Sequence, residues 1–407
     1  MNKKSKTKIK NVEIQFPVIL IRTKKGLNFI NKISKLKSIS SIGNILLLIM
    51  PISSFIAFYL ILRAISIYSN SDAARTQARE LTPFANILIP GVNPLLPIFY
   101  GYIALVIALV VHESAHAIFA RSFNLRVKST GLLLLLGLPI GAFAEVDEKQ
   151  LKKSSPKKGL QVLSSGPGAN MVVALFSLFL LVILVFSLSP TVTGVAITGI
   201  NEDSSLYISG VRAKDVIYAI NAYPINSIND ITSVINSHNV NDTVMISILK
   251  ADENYRLVEI STLLSQRDPD NLSPYLGITI VDIENSLAEY KKRIPFSFLR
   301  VPTMSSYQHI TPFSDLMSDF YSSPLGSFFK PIANLFFWIW FINFNLAIFN
   351  SLPIYPLDGG QSLFIIIRSF NKNSINEKLA YNITIFITFI FVSIVALLLL
   401  IPYISIF

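Results

Sequence analysis

The 407-residue chain contains no cysteine, which excludes disulfides and thiolate metal sites and leaves His, Asp and Glu to hold any metal. Charge is also scarce, at 14% Asp, Glu, Lys and Arg, where ordinary soluble domains carry about 25%. With 52% hydrophobic residues and a mean hydropathy of +0.54, a wholly soluble globule is excluded, and a polytopic membrane protein with some soluble mass is implied. No apolar run of a cleavable signal peptide opens the chain. Residues 1–40 instead carry eleven Lys/Arg against Glu13 alone. An apolar span follows directly, so this basic stretch reads as a positive-inside signal that places the N-terminus in the cytoplasm, with no nucleic acid as partner.

Five stretches are apolar enough to enter a bilayer, which takes about 20 residues per helix: 44–67, 95–120, 159–188, 334–349 continuing towards 367, and 380–407. A shorter run, 131–144, is punctuated by glycine and reads as re-entrant, with a β-hairpin as one form it could take. The charge counts test the threading. Residues 68–92 are balanced, 121–158 carry eight basic and three acidic residues, and 190–330 carry ten basic and fifteen acidic. Alternating outside, inside and outside is consistent with a multi-pass protein of the cell membrane, its active face on the cytoplasmic side. Residues 190–285 change character: short β-type runs at 195–200, 216–220, 244–249 and 257–262 alternate with polar turns, and 227–238 has the pattern of a small helix. The expected organisation is a basic cytoplasmic segment 1–40, a membrane region 41–189, an inserted mixed α/β domain 190–285, an amphipathic connector 286–330 and a second membrane region 331–407.

The chemistry is concentrated in His112-Glu113-Ser114-Ala115-His116, at the end of an otherwise apolar span. Histidines four apart lie one above the other on a helix, so both imidazoles can grip one Zn²⁺ while Glu113 acts as general base. Ionisable groups at membrane depth are costly and usually face a functional interior. Two histidines do not complete a hydrolytic zinc site, and the third ligand must come from another apolar segment. Asp358 is the candidate, in Asn350-Ser-Leu-Pro-Ile-Tyr-Pro-Leu-Asp358-Gly-Gly, where two prolines and two glycines unwind the helix. Asn170, in Ser165-Gly-Pro-Gly-Ala-Asn170, and Asn350 place amides in apolar spans, where each could serve helix packing or support a peptide carbonyl or its oxyanion. His238 and His309 read as ordinary surface histidines.

HESAH, SGPGAN and NSLPIYPLDGG, in this order on separate spans, resemble the site-2 proteases, the intramembrane zinc metalloproteases of peptidase family M50. FPVILIRTKKGLNFI at 16–30, PGVNP at 90–94 and IGAFAEVDEK at 140–149 look like the archaeal members. The resemblance covers most of the chain, 286–330 adding little. It implies that His112, His116 and Asp358 bind one catalytic zinc, that Glu113 is the general base, and that Asn170 and Asn350 handle substrate. Gln361 departs from the basic residue that many members carry after LDGG. The inserted domain resembles the PDZ domains of this family: Ser209–Pro224 looks like their turn and strand, and Tyr275-Leu276-Gly277-Ile278 like the loop that binds a peptide C-terminus while a sheet edge is extended. The implied fold class is a polytopic α-helical membrane protein with a re-entrant segment and an inserted mixed α/β PDZ-like domain, and the implied substrates are transmembrane proteins. Rival readings are a non-enzymatic membrane scaffold with a structural zinc and a peptide-binding domain, and a zinc transporter. The latter predicts acidic residues spread through several spans rather than gathered at one depth.

Overall fold

The computed structural model describes residues 7–9, 12–15, 18–23, 26–81, 83–135, 138–147, 150–151, 154–253, 255–268, 271–370 and 376–404. Three strands come first, β1 (Thr7–Ile9), β2 (Val12–Gln15) and β3 (Val18–Thr23), then a short helix α1 (Leu27–Ile33). Helix α2 (Ile39–Asn70) leads to α3 (Asp72–Glu80), which Ser71 caps by accepting from Ala74 N. Helix α4 (Ile98–Ser122) feeds the hairpin of β4 (Val127–Leu135) and β5 (Leu138–Val146), and α5 (Pro156–Phe186) follows.

The next stretch holds β6 (Ser189–Pro190), β7 (Val195–Ile200), β8 (Val216–Ile220), β9 (Tyr223–Pro224), α6 (Ile228–Asn236), β10 (Thr243–Lys250), β11 (Arg256–Leu263), β12 (Ser265–Asp268), β13 (Asn271–Tyr275), β14 (Ile278–Asp282), α7 (Ile283–Lys292) and β15 (Tyr321–Ser322). The chain closes with α8 (Phe329–Ser351), α9 (Asp358–Ser369) and α10 (Glu377–Leu400). Among the described residues, five helices are long and apolar enough to cross a membrane: 39–70, 98–122, 156–186, 326–351 and 377–403.

The chain divides into two compact units, one of residues 1–179 and 335–407, the other of 180–334. In the first unit, α1 and α2 pack Ile30, Ile39 and Leu46 against Ala117, Phe119 and Ala120 of α4 and Val162 of α5. A second cluster joins Ala57 and Ile61 of α2, Met171 of α5, and Ala347 and Ile348 of α8. The polar link Gln161 Nε2 to Asn44 Oδ1 (2.9 Å) ties α5 to α2, the kind of interhelical bond that replaces a hydrophobic driving force between spans.

The first unit also holds an antiparallel sheet in the order β1-β2-β3-β4-β5. The stretch 131–144 therefore lies in two paired strands, its tip at 136–137 falling outside the described residues, as do Glu148 and Lys149 of the IGAFAEVDEK segment. The basic N-terminal stretch is more structured than its charge implied. β3 pairs with β4 from Thr23↔Thr130 to Val18↔Leu135, partners over a hundred residues apart in sequence. Arg22 meets Glu13 across the β2–β3 pair at 2.7 Å, so one of its charges is neutralised within the sheet.

The second unit is a sheet in the order β11-β10-β8-β7-β14, with β9 on β8. Its apolar face, including Val195, Ile197, Ile217, Ile246 and Ile248, is covered by Ile231 and Ile235 of α6. That helix begins with a capping box, in which Ser227 Oγ and the Asp230 carboxylate each accept from the other residue's backbone N–H. Residues 286–330, expected as an amphipathic connector, are folded. Tyr290 packs edge-on to Phe298 and Phe313 (centroids 5.8 and 6.5 Å), and Met317 and Phe320 are buried in the same unit. Turns and prolines separate these aromatics, so no helical or strand period announces them.

Candidate metal centre

The site lies wholly in the first unit and is assembled by three elements. Helix α4 supplies His112 and His116 one turn apart, with ring centroids 4.7 Å apart and planes at 80°. The chain breaks after α8, where Pro353 and Pro356 interrupt the helix, and restarts at α9 with Asp358 in its first turn. An acid suits this position because the free N–H groups there favour negative charge. Gly359 and Gly360 allow the restart: a Cβ on Gly359 would lie 2.3 Å from the carbonyl oxygens of Ser351 and Leu352, and one on Gly360 2.3 Å from Tyr355 N. Tyr355 N donates to Thr388 Oγ1 of α10 (2.9 Å), which anchors the turn.

The three side chains converge. Asp358 Oδ2 lies 3.1 Å from His112 Nε2 and 3.3 Å from His116 Nε2, and the two Nε2 atoms are 3.1 Å apart. Ligand bonds of roughly 2.0–2.2 Å in tetrahedral array put neighbouring ligand atoms about 3.3–3.6 Å apart. The triangle thus has nearly the edge lengths of one face of a zinc coordination tetrahedron. All three side chains are largely buried, and this is the one group of potential metal ligands that meets among the described residues.

Helix α5 forms the facing wall. Ser165-Gly166-Pro167 brings backbone so close that a Cβ on Gly166 would lie 2.4 Å from His116 Nε2 and 2.7 Å from His112 Nε2. The space left by that missing methylene group is where an ion held by both rings needs room. His116 Nδ1–H donates to Val162 O of α5 at 2.7 Å, with Ser165 Oγ 3.5 Å from the same nitrogen. A carbonyl accepts only from a protonated nitrogen, so Nε2 of His116 keeps its lone pair for a metal. Donor types, spacing and the Gly166 recess all fit a small divalent cation.

Glu113 follows His112 on α4, and its Oε2 accepts from Ala144 N of β5 at 2.7 Å. Asn170 is fully buried and presents its amide to His112 Nδ1, Nδ2 lying 3.3 Å away, the ring nitrogen remote from Asp358. Asn350 is half-buried near the end of α8 and makes no side-chain hydrogen bond with another described residue. His238, just past the end of α6, is tied by Nδ1 to Val234 O (2.8 Å) of that helix. The Tyr275–Ile278 loop belongs to the other unit. There Gly277 has φ +72°, Gly277 O accepts from Asn201 N (2.8 Å), and Leu276 and Ile278 are buried. Gly166 as a recess, the Val162 carbonyl and the Ala144 amide are contributors that sequence reasoning missed. Gly166 lies within the legible SGPGAN motif, while backbone groups leave no mark in a residue pattern.

The profile of peptidase family M50 matches residues 100–395, which includes every side chain of this site. The chain belongs to that family, the site-2 proteases. Among curated relatives, it is similar to an uncharacterized protein of Methanocaldococcus jannaschii, 29% identical over 371 residues, covering 90% of this chain and 83% of the relative. It is also similar to the regulator of sigma-W protease RasP of Bacillus subtilis, 25% identical over 248 residues, covering 57% of this chain and 56% of RasP, so it spans about half the length of that relative. Among solved structures, it is similar to the PDZ domain of an SdrC-like protein of Listeria monocytogenes, with 25% identity, 23% of this chain and 93% of that chain covered, and a TM-score of 0.20. At the level of the M50 family, the chain is a membrane metallopeptidase, and the His112–His116–Asp358 cluster could hold its metal.

Proposed function

We propose that this M50 member is an intramembrane zinc endopeptidase that cleaves transmembrane proteins within or near a membrane-spanning helix. The observation that carries the proposal is the triangle of His112 Nε2, His116 Nε2 and Asp358 Oδ2 beside a carboxylate one residue away on the same helix. Zinc, when bound there, supplies Lewis acidity to a peptide carbonyl and to water. Glu113 accepts the proton of the attacking water and delivers it to the leaving amine. Its anchoring by Ala144 N keeps the carboxylate from swinging away between these transfers. Asn350, whose amide makes no hydrogen bond among the described residues, supplies a donor to hold a substrate carbonyl or oxyanion.

A helical substrate hides its carbonyls in i→i−4 bonds and must unwind to be cut. β5 ends the sheet order, so its outer edge offers backbone groups to an extended strand, and Ala144 on that strand touches Glu113. We read the β4–β5 hairpin as re-entrant, the N-terminus and active site as cytoplasmic, and residues 190–330 as extracytoplasmic, on the charge counts above. The second unit has a matching opportunity. β14 ends its sheet order, directly after the Tyr275–Ile278 loop, which fits a PDZ-like domain that binds a peptide C-terminus.

In a reconstituted cleavage assay, Glu113→Gln should keep one zinc per chain and lose proteolysis by a factor on the order of 10²–10⁴, the usual contribution of a general acid–base group. Cleavage at the wild-type rate by that variant, in zinc-loaded form, contradicts the proposal.

A further inference from the structure

Val162, Gly166 and Asn170 stand four residues apart on α5 and so form one stripe of that helix facing the histidine pair. The upper and lower members each meet one Nδ1 atom, Val162 O at His116 (2.7 Å) and Asn170 at His112 (3.3 Å), while Gly166 between them clears the Nε2 atoms. The His116 contact is complete, but the His112 contact as placed is not. Asn170 presents its Nδ2 to the ring, and its Oδ1 is buried with no hydrogen-bond partner. The oxygen and nitrogen of an amide are alike in shape, and rotating the group by half a turn exchanges them.

With the amide so turned, His112 Nδ1–H donates to Asn170 Oδ1 and Nδ2 takes the unpartnered place, so what decides between the two orientations is the proton on the ring. The proton then resides on Nδ1, and His112 Nε2 presents a lone pair at the corner of the triangle shared with His116 Nε2 and Asp358 Oδ2. The opposite arrangement, with Nδ2–H donating to a bare Nδ1, puts the proton on Nε2, the atom a metal needs.

We propose that Asn170 is a positioning residue for the metal rather than a donor to substrate: its amide oxygen fixes the tautomer and orientation of His112, as the Val162 carbonyl does for His116. This rests on the zinc reading above. It makes α5 the element that sets both imidazoles, so a substrate carbonyl has to find its donor elsewhere.

The test is zinc affinity of the purified full-length protein in detergent, measured against a competing chelator, for wild type, Asn170→Leu and Asn170→Asp. Loss of a partner of this kind typically costs 10–100-fold in metal affinity. Asn170→Leu, of similar size and without an acceptor, should weaken zinc by that factor. Asn170→Asp, an acceptor only, should hold zinc at least as tightly as wild type, which separates lost positioning from misfolding. In ¹⁵N-histidine-labelled wild type, zinc-loaded His112 should be protonated at Nδ1. Asn170→Leu binding zinc as tightly as wild type while cleaving slowly would overturn the inference and return Asn170 to the substrate. Failure of wild type itself to bind zinc would instead overturn the metal reading, and this inference with it.

Discussion

Each unit of the molecule buries a carboxylate, and the two are surrounded in opposite ways. In the 180–334 unit, Asp215 is enclosed by donors: Lys250 Nζ at 2.7 Å, Arg212 N at 2.9 Å and Ala251 N at 3.0 Å. Lys250 in turn donates to Gly210 O at 2.6 Å. That network is closed, and it ties the 210–215 turn to the end of β10. In the unit of 1–179 and 335–407, Asp358 faces two imidazole nitrogens, at least one of which carries a lone pair. With His116 Nε2 bare and His112 in the tautomer proposed above, the three atoms are all acceptors and satisfy nothing among themselves. A closed buried ion pair is explained by structure alone, whereas an open cluster of lone pairs asks for a cation. Burial of charge therefore does not distinguish structure from chemistry, but the balance of donors and acceptors does.

The strongest way to break this comparison is to open the closed network. Lys250→Ala leaves Asp215 buried and uncompensated, which should cost about 3–5 kcal/mol. Hydrogen exchange of the full-length protein should show the loss confined to the 180–334 unit, with zinc content unchanged. A fall in zinc content would mean that the two networks are not independent.

A smaller effect is expected on the other side. Gly166→Ala places a methyl group against both Nε2 atoms, and overpacking of this kind costs about 1–3 kcal/mol. It should appear as weakened zinc affinity without faster exchange in the 180–334 unit. Equal zinc affinity in the variant would show that the recess is spare space.

The smallest effects belong to the surface of the second unit. Ser227→Ala removes one half of the α6 capping box and should destabilise by about 1 kcal/mol, read as a lower Tm. Its partner Asp230 has its pKa held below the ordinary carboxylate value by the N–H groups of Asn226 and Ser227. A folded pKa lower than the unfolded one gives stability that is present above the unfolded value and lost as pH falls through the folded one. Asp230→Asn should therefore lower Tm at pH 7, and the gap to wild type should close as the pH drops below about 4. A gap that widens on acidification would contradict that sign.

Legibility in the sequence followed the same division. His112, Glu113 and His116 stood out because ionisable residues are rare in an apolar span, and Asp358 because prolines and glycines broke a helix beside it. The strands of 7–23 were hidden, since their pairing depends on residues more than a hundred positions away and their lysines and arginines read only as charge. The aromatic packing of Tyr290, Phe298 and Phe313 was hidden because turns, not periodic elements, bring those rings together. Asn170 was visible as a polar residue in a span. The ring nitrogen it meets depends on the rotation of α5 against α4, which no spacing rule supplies.

Zinc K-edge X-ray absorption of the purified full-length protein, wild type beside Asp358→Ala, tests the central claim most directly. The account predicts one zinc per wild-type chain with two histidine nitrogens and one carboxylate oxygen at roughly 2.0–2.2 Å and a fourth, exchangeable light-atom ligand, and loss of that signal in Asp358→Ala. Unchanged zinc coordination in the variant, or four fixed protein ligands in wild type, would contradict it.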